Sequence, residues 1–93
     1  MAGLEIWGPK GGRRIVELVD ARYVVGKADD ADIVLTDDST VSAAHAMVEL
    51  IGQRWYVKDL DSRKGTTVNK DRLLGERALR DRDELVLGKT RVV

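Results

Sequence analysis

The stretch SAAHAMVELIGQRWYVKD, residues 42–59, decides how the middle of the chain folds. In its second half, Trp55 and Val57 share one face and alternate with more polar side chains, which is the period of a half-buried strand. A second apolar run ends at Leu50, and the turn residues Gly52-Gln53 lie between the two runs. The arrangement predicts a tight β-hairpin.

A helix is the competing prediction for residues 42–50, with Ser42 as its N-cap. The alanines of this segment favour the helix, because alanine is a good helix former and a poor strand former. Gly52 follows the segment almost at once, and the hairpin requires the second half of the segment to be extended. We therefore predict a loop followed by a strand.

The rest of the chain repeats this organisation of short apolar runs and turns. Residues 14–19 carry apolar side chains on both faces, and Leu85 and Leu87 share one face of another short run. Turn signals recur at residues 8–12, 27–30, 36–39, 51–53, 61–65, 75 and 88. Short strands at such regular spacing predict an all-β sandwich or barrel.

The composition excludes several functional classes. The 93 residues suffice for one domain, and the absence of cysteine removes disulfides, thiolate zinc sites and cysteine nucleophiles. A single histidine cannot form a histidine pair. Sixteen basic and sixteen acidic residues give a net charge of zero, so bulk charge attracts neither nucleic acid nor an anionic membrane. We expect no cofactor, no metal ion and no enzymatic activity.

The apolar runs and the two ends of the sequence bear on the location of the domain in the cell and on its place in a longer chain. No apolar run approaches the roughly 18 residues of a membrane-spanning helix, and the first twelve residues lack the basic and apolar regions of a signal peptide. We therefore expect a cytoplasmic domain. Because the sequence stops inside an apparent last strand at residues 91–93, we expect residues 1–93 to be a single domain of a longer polypeptide.

Two patterns resemble binding motifs but lack the necessary context. Gly88-Lys89-Thr90 looks like the end of a P-loop, yet Asp83 stands where that motif needs glycine, and too few residues follow for its helix. The acidic stretch contains Asp29, Asp30, Asp32, Asp37 and Asp38. It has neither the glycine nor the terminal glutamate of a calcium loop in register, so we expect solvated carboxylates.

Two further residue groups have simple structural explanations. Ser42 and His45 could suggest a nucleophile and its base, but no carboxylate partner or oxyanion motif accompanies them. We expect this histidine to brace a loop through hydrogen bonds. Lys10 and Arg13-Arg14 form a basic cluster, which we interpret as a solvated hairpin end rather than a nucleic-acid contact, because the net charge is zero.

Four segments, read together, carry a resemblance to a known family. They are Gly26-Lys27, Val41–His45, Asp59–Asn69 and Leu79–Gly88. In order and spacing they resemble the forkhead-associated (FHA) domain, whose pattern is Gly-Arg, Ser-x-x-His, Asp-Leu-x-Ser-x-Asn-Gly-Thr-x-Val-Asn and Leu-x-Asp-Gly-Asp. The resemblance runs from about residue 4 to the end of the sequence. It implies an FHA-type β-sandwich of about eleven mostly antiparallel strands that binds phosphothreonine peptides through loops at one end.

The resemblance also implies roles for individual residues. The phosphopeptide-binding positions are Lys27, Ser42, Ala43, Arg63 and Lys64. The positions that support the loops are Gly26, His45, Asp59, Ser62, Gly65, Thr66 and Asn69. The implied partner is a phosphothreonine-containing protein or a phosphorylated segment of the parent protein, bound without chemical conversion.

The sequence departs from the family pattern at the site itself. Lys27 replaces the phosphate-binding arginine and cannot form its planar, bidentate contact. Lys64 replaces an asparagine, Ala43 stands where the family often has a polar residue, and Arg82 replaces a turn glycine, which we expect to be tolerated if the turn needs no positive φ. Either Arg63 and Lys64 compensate for Lys27, or the domain has become a phosphate-independent interaction or autoinhibitory domain.

Overall fold

The computed structural model describes residues 2–93, which form eleven β-strands. The strands are β1 (Ala2–Trp7), β2 (Arg13–Leu18), β3 (Arg22–Gly26), β4 (Ile33–Val34), β5 (Ala46–Ile51), β6 (Arg54–Asp59), β7 (Thr66–Val68), β8 (Asp71–Arg72), β9 (Glu76–Ala78), β10 (Leu85–Leu87) and β11 (Thr90–Val92). Within residues 2–93 there is no helix with the length and apolar character that crossing a membrane requires.

The strands form two sheets. The six-stranded sheet has the order β2-β1-β11-β10-β7-β8, and the five-stranded sheet has the order β4-β3-β5-β6-β9. All pairs are antiparallel except β3 with β4, which is parallel. This architecture confirms the predicted eleven-stranded sandwich.

The hairpin predicted for residues 42–59 is present, and the helical alternative is wrong. Strands β5 and β6 pair in full, from Ala46 opposite Asp59 to Ile51 opposite Arg54, around a two-residue turn. Of the alanines that favoured a helix, Ala46 is buried in the core, whereas those at 43 and 44 lie in the preceding loop. Cross-strand pairing and core burial therefore override the local helix propensity.

The core lies between the inner faces of the two sheets. Its buried side chains are Leu4, Ile6, Tyr23, Val25, Ile33, Leu35, Val41, Ala46, Val48, Val57, Val68, Leu73, Leu85, Leu87 and Val92. Val25 pairs with Ala46, which pairs with Asp59, so β3 and β6 end at the same pole of the sandwich at which β5 begins. The core thereby fixes the loops that leave these strands at this pole, which we call the loop pole.

The structure corrects the sequence prediction for one carboxylate of the acidic stretch. Asp38 was expected to be solvated, but only 1% of its surface is exposed. Its carboxylate accepts hydrogen bonds from the Lys89 N–H at 2.7 Å, the Thr90 hydroxyl at 2.8 Å and the Thr40 N–H at 2.9 Å, and it also bonds the Thr40 hydroxyl. The carboxylate stays buried because these donors replace its water, and it ties the β4–β5 loop to the β10–β11 hairpin.

The turn before β10 adopts a backbone conformation that the sequence did not predict. Arg82 has φ +68°, in the left-handed region that costs a residue with a Cβ roughly 1–2 kcal/mol. The turn does need a positive φ at this position, so the replacement of the family glycine by arginine costs conformational energy. Arg82 is exposed, so its side chain supplies little packing in return.

We expect Arg82→Gly to stabilise the domain by roughly 0.5–1 kcal/mol, since the relieved strain exceeds the extra entropy of an unfolded glycine. Urea denaturation measures this difference. The matched control is Asp81→Gly in the same turn, where the residue is exposed and φ is not positive. That control should lower the free energy of unfolding, and equal effects of the two variants would contradict the argument.

Candidate functional site

Three loops meet at the loop pole: the β3–β4 loop (27–32), the β4–β5 loop (35–45) and the β6–β7 loop (60–65). The N–H of Lys27 donates to the Ser42 carbonyl at 3.0 Å, and the N–H of Ala28 donates to the Ala43 carbonyl at 3.1 Å. A Cβ on Gly26 would lie 2.1 Å from the Ala43 carbonyl oxygen. Only glycine permits this close approach, which holds the first two loops together.

His45 joins the second and third loops from inside. Its side chain is fully buried. The ring Nδ1 accepts the Ser42 N–H at 3.0 Å, so the other nitrogen carries the proton and Nε2–H donates to the Gly65 carbonyl at 2.9 Å. Both ring nitrogens are occupied by backbone groups, and neither bonds the Ser42 hydroxyl. This geometry is that of a loop brace and not of a general base.

Asp59 organises the third loop. Its carboxylate accepts the Ser62 N–H at 2.9 Å, the Ser62 hydroxyl at 2.5 Å and the Thr66 hydroxyl at 2.7 Å. The Ser62 oxygen in turn accepts the Gly65 N–H at 2.9 Å. These bonds fold residues 59–66 into a compact turn that presents the exposed Arg63 and Lys64 to solvent.

The same contacts make stability depend on pH. Burial alone would raise the pKa of Asp59, but hydrogen bonds from Ser62 and Thr66 and the nearby His45 hold it below the ordinary value of 3.8. Burial likewise opposes the hydrogen bonds from Thr40, Thr90 and Lys89 that lower the pKa of Asp38. A lowered pKa means that the folded state favours the carboxylate.

We therefore expect the stability that these two carboxylates contribute to be complete above about pH 5 and to fall as the pH drops through about 3.8 towards the lower folded-state values, by about 1.4 kcal/mol for each unit of pKa depression. Urea denaturation between pH 7 and pH 2.5 measures it. Asp59→Asn and Asp38→Asn should each flatten the acid limb while lowering stability at pH 7. An acid limb unchanged in both variants would exclude these carboxylates as its source.

Ser42 lies where the three loops converge. Its Oγ accepts the Arg63 N–H at 3.0 Å, and in the hydrogen bonds of residues 2–93 this oxygen acts as an acceptor only. The side chain is half-buried, so its position is fixed while its hydroxyl remains accessible. This hydroxyl can donate to a ligand oxygen without losing a bond inside the domain.

The basic side chains predicted for the site lie on these loops. Lys27, Arg63 and Lys64 are exposed, as is Ala43. Within residues 2–93 the ion pairs are Glu5 with Arg13 and Glu84 with Arg91, so none of the three cations is paired with a carboxylate. The structure brings the five predicted binding positions to one surface, and their contacts with a ligand remain a prediction.

Arg72 is a further basic residue at this pole that the sequence analysis missed. A Cβ on Gly65 would lie 2.9–3.0 Å from its guanidinium atoms, so Arg72 covers the third loop from β8. The β7–β8 pairing places it there, because Arg72 lies opposite Thr67. The two residues after Val68, Asn69-Lys70, were the signal in the sequence that could have indicated this position. A two-residue turn there folds the chain straight back along β7 and brings Arg72 towards the loops.

Asn69 is the supporting residue that lies away from the loops. Its amide donates to the Asp83 carboxylate at 2.9 Å, and its side-chain oxygen accepts the Glu84 N–H at 2.9 Å. It has φ +50°, a conformation that asparagine tolerates better than most residues. Asn69 therefore links the β7–β8 turn to the start of β10, at the pole opposite the loops.

A β-sandwich that gathers one accessible hydroxyl and unpaired cations on braced loops defines a recognition module for anionic ligands. The chain belongs to the FHA domain family, whose sequence profile matches residues 23–88. This confirms the family resemblance and the FHA-type fold.

Solved structures agree over nearly the whole chain. It superposes on the FhaA FHA domain complexed with the intracellular domain of Rv3910 with a TM-score of 0.85 and 31% identity, covering 98% of this chain and 96% of that one. A structure from a study of phosphothreonine-dependent FHA domain interactions gives a TM-score of 0.84 and 29% identity, covering 99% and 94%.

Among three relatives of the chain, two carry regulatory names, and the third is named for its FHA domain. The chain is 38% identical over 86 residues to the glycogen accumulation regulator GarA of Mycolicibacterium smegmatis, covering 92% of this chain and 52% of that protein. It is 37% identical over 86 residues to the oxoglutarate dehydrogenase inhibitor of Corynebacterium jeikeium, covering 92% and 58%. For FhaB of Mycobacterium tuberculosis the identity is 40% over 55 residues, covering 59% and 35%. The chain spans 35–58% of the length of these relatives.

Proposed function

We propose that this domain is a non-catalytic module that binds phosphothreonine peptides at its loop pole. The observation that carries the proposal is the Ser42 hydroxyl, fixed by the Arg63 N–H at 3.0 Å and surrounded by loops whose lysines and arginines have no carboxylate partner within residues 2–93. A phosphothreonine carries a charge of about −1.5 to −2 and three acceptor oxygens, so it needs both a hydroxyl donor and several cations.

The charge at the site compensates for the missing arginine. Lys27 acts as a point charge and not as a planar fork, so it supplies attraction without bidentate geometry. Arg63, Lys64 and Arg72 add further positive charge on the facing loop. The exposed Asp29, Asp30 and Asp61 on the same loops oppose this attraction, and ionic screening weakens charges that lie more than about 8–10 Å from the phosphate. We infer that phosphate is held mainly by the cations nearest to it and by the Ser42 hydroxyl, with the backbone of the ligand lying along residues 43 and 64.

Two observations about relatives support a phosphate-dependent function. One structural neighbour comes from work on phosphothreonine-dependent FHA domain interactions, and another is EmbR of Mycobacterium tuberculosis in complex with a low-affinity phosphopeptide, matched with a TM-score of 0.84 and 28% identity. These findings favour the phosphate-dependent module over the phosphate-independent or autoinhibitory alternative. The low net charge of the chain and the pairing of Arg13 with Glu5 at 2.9 Å give no support to a nucleic-acid contact.

The names of the relatives suggest the role of the domain in the cell. We propose a cytoplasmic regulatory function in which a kinase phosphorylates a threonine and the domain recruits the modified protein, or a modified segment of its own parent chain. GarA and the oxoglutarate dehydrogenase inhibitor are named as regulators, which agrees with binding and release and not with catalysis.

The test is a two-dimensional NMR titration of the isotope-labelled chain with a degenerate phosphothreonine peptide library. The same library without phosphate is the control. We expect shifts at Lys27, Ser42, Ala43, Arg63 and Lys64 with the phosphorylated pool alone. Equal shifts with both pools would establish the phosphate-independent alternative, and the absence of shifts with either would reject the assigned site.

A further inference from the structure

Among residues 2–93, the longest unpaired strand edge belongs to β2. Four strands lie at sheet edges, and three of them are short: β4 and β8 have two residues each and β9 has three. Strand β2 has six residues, and every one of them is in regular register with β1. Monomeric proteins usually shorten, bulge or cover such an edge, because it offers a template for another strand.

The backbone groups that face outward from β2 can be identified. Glu5, on the neighbouring strand, donates its N–H to the Val93 carbonyl at 2.9 Å and accepts the Val93 N–H at 2.8 Å, so both groups point away from β2. Ile15 lies opposite Glu5 and therefore forms a non-hydrogen-bonded pair with it. The N–H and C=O of Ile15 point out from the free edge, and by the alternation of a strand so do those of Arg13 and Glu17.

The side chains of the same three residues lie on the outer face of the sheet. They form the series basic, apolar, acidic, with Ile15 63% exposed between Arg13 and Glu17. The Arg13 guanidinium also bonds the Glu5 carboxylate of its own sheet at 2.9 Å, and both side chains of that pair remain about half exposed, so Arg13 can share its charge with a second carboxylate. The alternate residues Val16 and Leu18 pack against the core. An exposed isoleucine at the centre of a free edge gains from burial, and the charges on either side of it have opposite signs.

We propose that β2 pairs with β2 of a second copy of this chain, antiparallel, about a two-fold axis that passes between the two Ile15 residues. Each Arg13 then lies opposite the partner's Glu17, and Ile15 lies opposite the partner's Ile15. The three facing positions are those whose N–H and C=O groups point outward, so each pair exchanges two backbone hydrogen bonds. The two six-stranded sheets become one continuous sheet.

Other registers fit the chain less well. A shift of two residues places Ile15 opposite a charged side chain. A shift of four residues places Glu17 opposite the partner's Glu17, or Arg13 opposite the partner's Arg13, and like charges directly opposite each other destabilise a pair of strands. A shift by one residue mismatches the outward backbone groups. Charge and hydrogen-bond geometry therefore select the same register.

The pairing leaves the candidate phosphopeptide site accessible. Trp7, at the end of β1, lies opposite Arg91 at the start of β11, so the β1–β2 turn is at the loop pole together with the Gly88-Lys89 turn. Because the two β2 strands run antiparallel, the two loop poles point in opposite directions. The proposed dimer is thus independent of whether the loop pole binds phosphothreonine.

The first test uses a single cysteine, since the chain contains none. In the proposed register the two Cα atoms at position 15 lie about 5.5 Å apart, inside the Cα range of a disulfide, and the Cβ atoms, at about 5 Å, reach bonding distance after a small local shift of the two strands. Ile15→Cys should form a disulfide dimer under mild oxidation. Val19→Cys, which is 78% exposed but outside the paired segment, should remain largely monomeric. Equal cross-linking of both variants would reflect random collision and overturn the proposal.

The second test uses charge reversal and sedimentation equilibrium from about 10 μM to about 1 mM, the range expected for an interface this small. Arg13→Glu and Glu17→Arg should each weaken self-association at least about tenfold, because like charges then face each other across the axis. Arg13→Glu also breaks the bond to Glu5 within the chain, so Glu17→Arg, which breaks no ion pair among residues 2–93, is the decisive single variant. A one-to-one mixture should associate again, since each reversed residue meets an opposite charge across the axis. A wild-type chain that remains monomeric at the highest concentration, or association that neither reversal changes, would overturn the proposal; NMR spectra of each variant verify folding.

Discussion

Replacing both Lys27 and Ser42 by alanine should lower the affinity for a phosphothreonine peptide at least about 100-fold. Hydrogen bonds to charged groups contribute roughly 1.5–3 kcal/mol each, and 1.4 kcal/mol corresponds to a tenfold change in affinity. Each single variant should therefore lose roughly tenfold or more. Both side chains lie at or near the surface, so the fold should be unaffected. Fluorescence anisotropy with a labelled peptide gives the affinities.

Lys70→Ala is the matched control for this measurement, because it removes an exposed lysine from the β7–β8 turn, at the pole opposite the candidate site. It should leave the affinity within about twofold.

Lys27→Arg provides the opposite test. The planar guanidinium can bond two phosphate oxygens at once, so this variant should raise the affinity several-fold. Binding that survives the double alanine variant would show that phosphate is held elsewhere.

Replacing His45 by alanine should lower the free energy of unfolding by roughly 3–5 kcal/mol, the sum of a buried cavity and two lost hydrogen bonds. The change leaves the Ser42 N–H and the Gly65 carbonyl without their partner inside the domain. It should also weaken phosphopeptide binding, because the two loops that position Ser42 and Arg63 are no longer tied together. Urea denaturation and peptide titration measure the two effects.

Two variants separate the brace from simple packing. His45→Phe fills the volume without either hydrogen bond, and it should be destabilised nearly as much as the alanine variant. Val57→Ala creates a cavity at another fully buried position, and it should lose stability but keep its peptide affinity where it remains folded. A phenylalanine variant with wild-type stability would show that His45 acts by filling space.

Much of the fold could be predicted from the sequence because strand signals are local. The alternation around Trp55 and Val57 and the turn at Gly52 predicted the β5–β6 hairpin, which the structure confirms. The spaced turns predicted an all-β sandwich, and the family pattern supplied the number of strands. The same pattern placed the loop residues in one group, which the hydrogen bonds of Ser42, His45 and Asp59 now explain.

The remaining features depend on contacts between residues far apart in the chain. Thr40 bonds one oxygen of the Asp38 carboxylate locally, but the other oxygen can be buried only because Lys89 and Thr90, more than fifty positions away, donate to it. No local pattern reports such a partner. Arg72 reaches Gly65 only because β8 folds back along β7.

By itself, then, the sequence determined which segments are strands and turns and which residues share a face, because alternation and turn chemistry act over a few residues. The strand order was decided only in the tertiary structure, since pairing joins segments distant along the chain. That order leaves the outer edge of β2 unpaired and brings three separate loops together around Ser42. The burial and the charge of the residues at the β2 edge and at the loop pole therefore depend on the order of the strands.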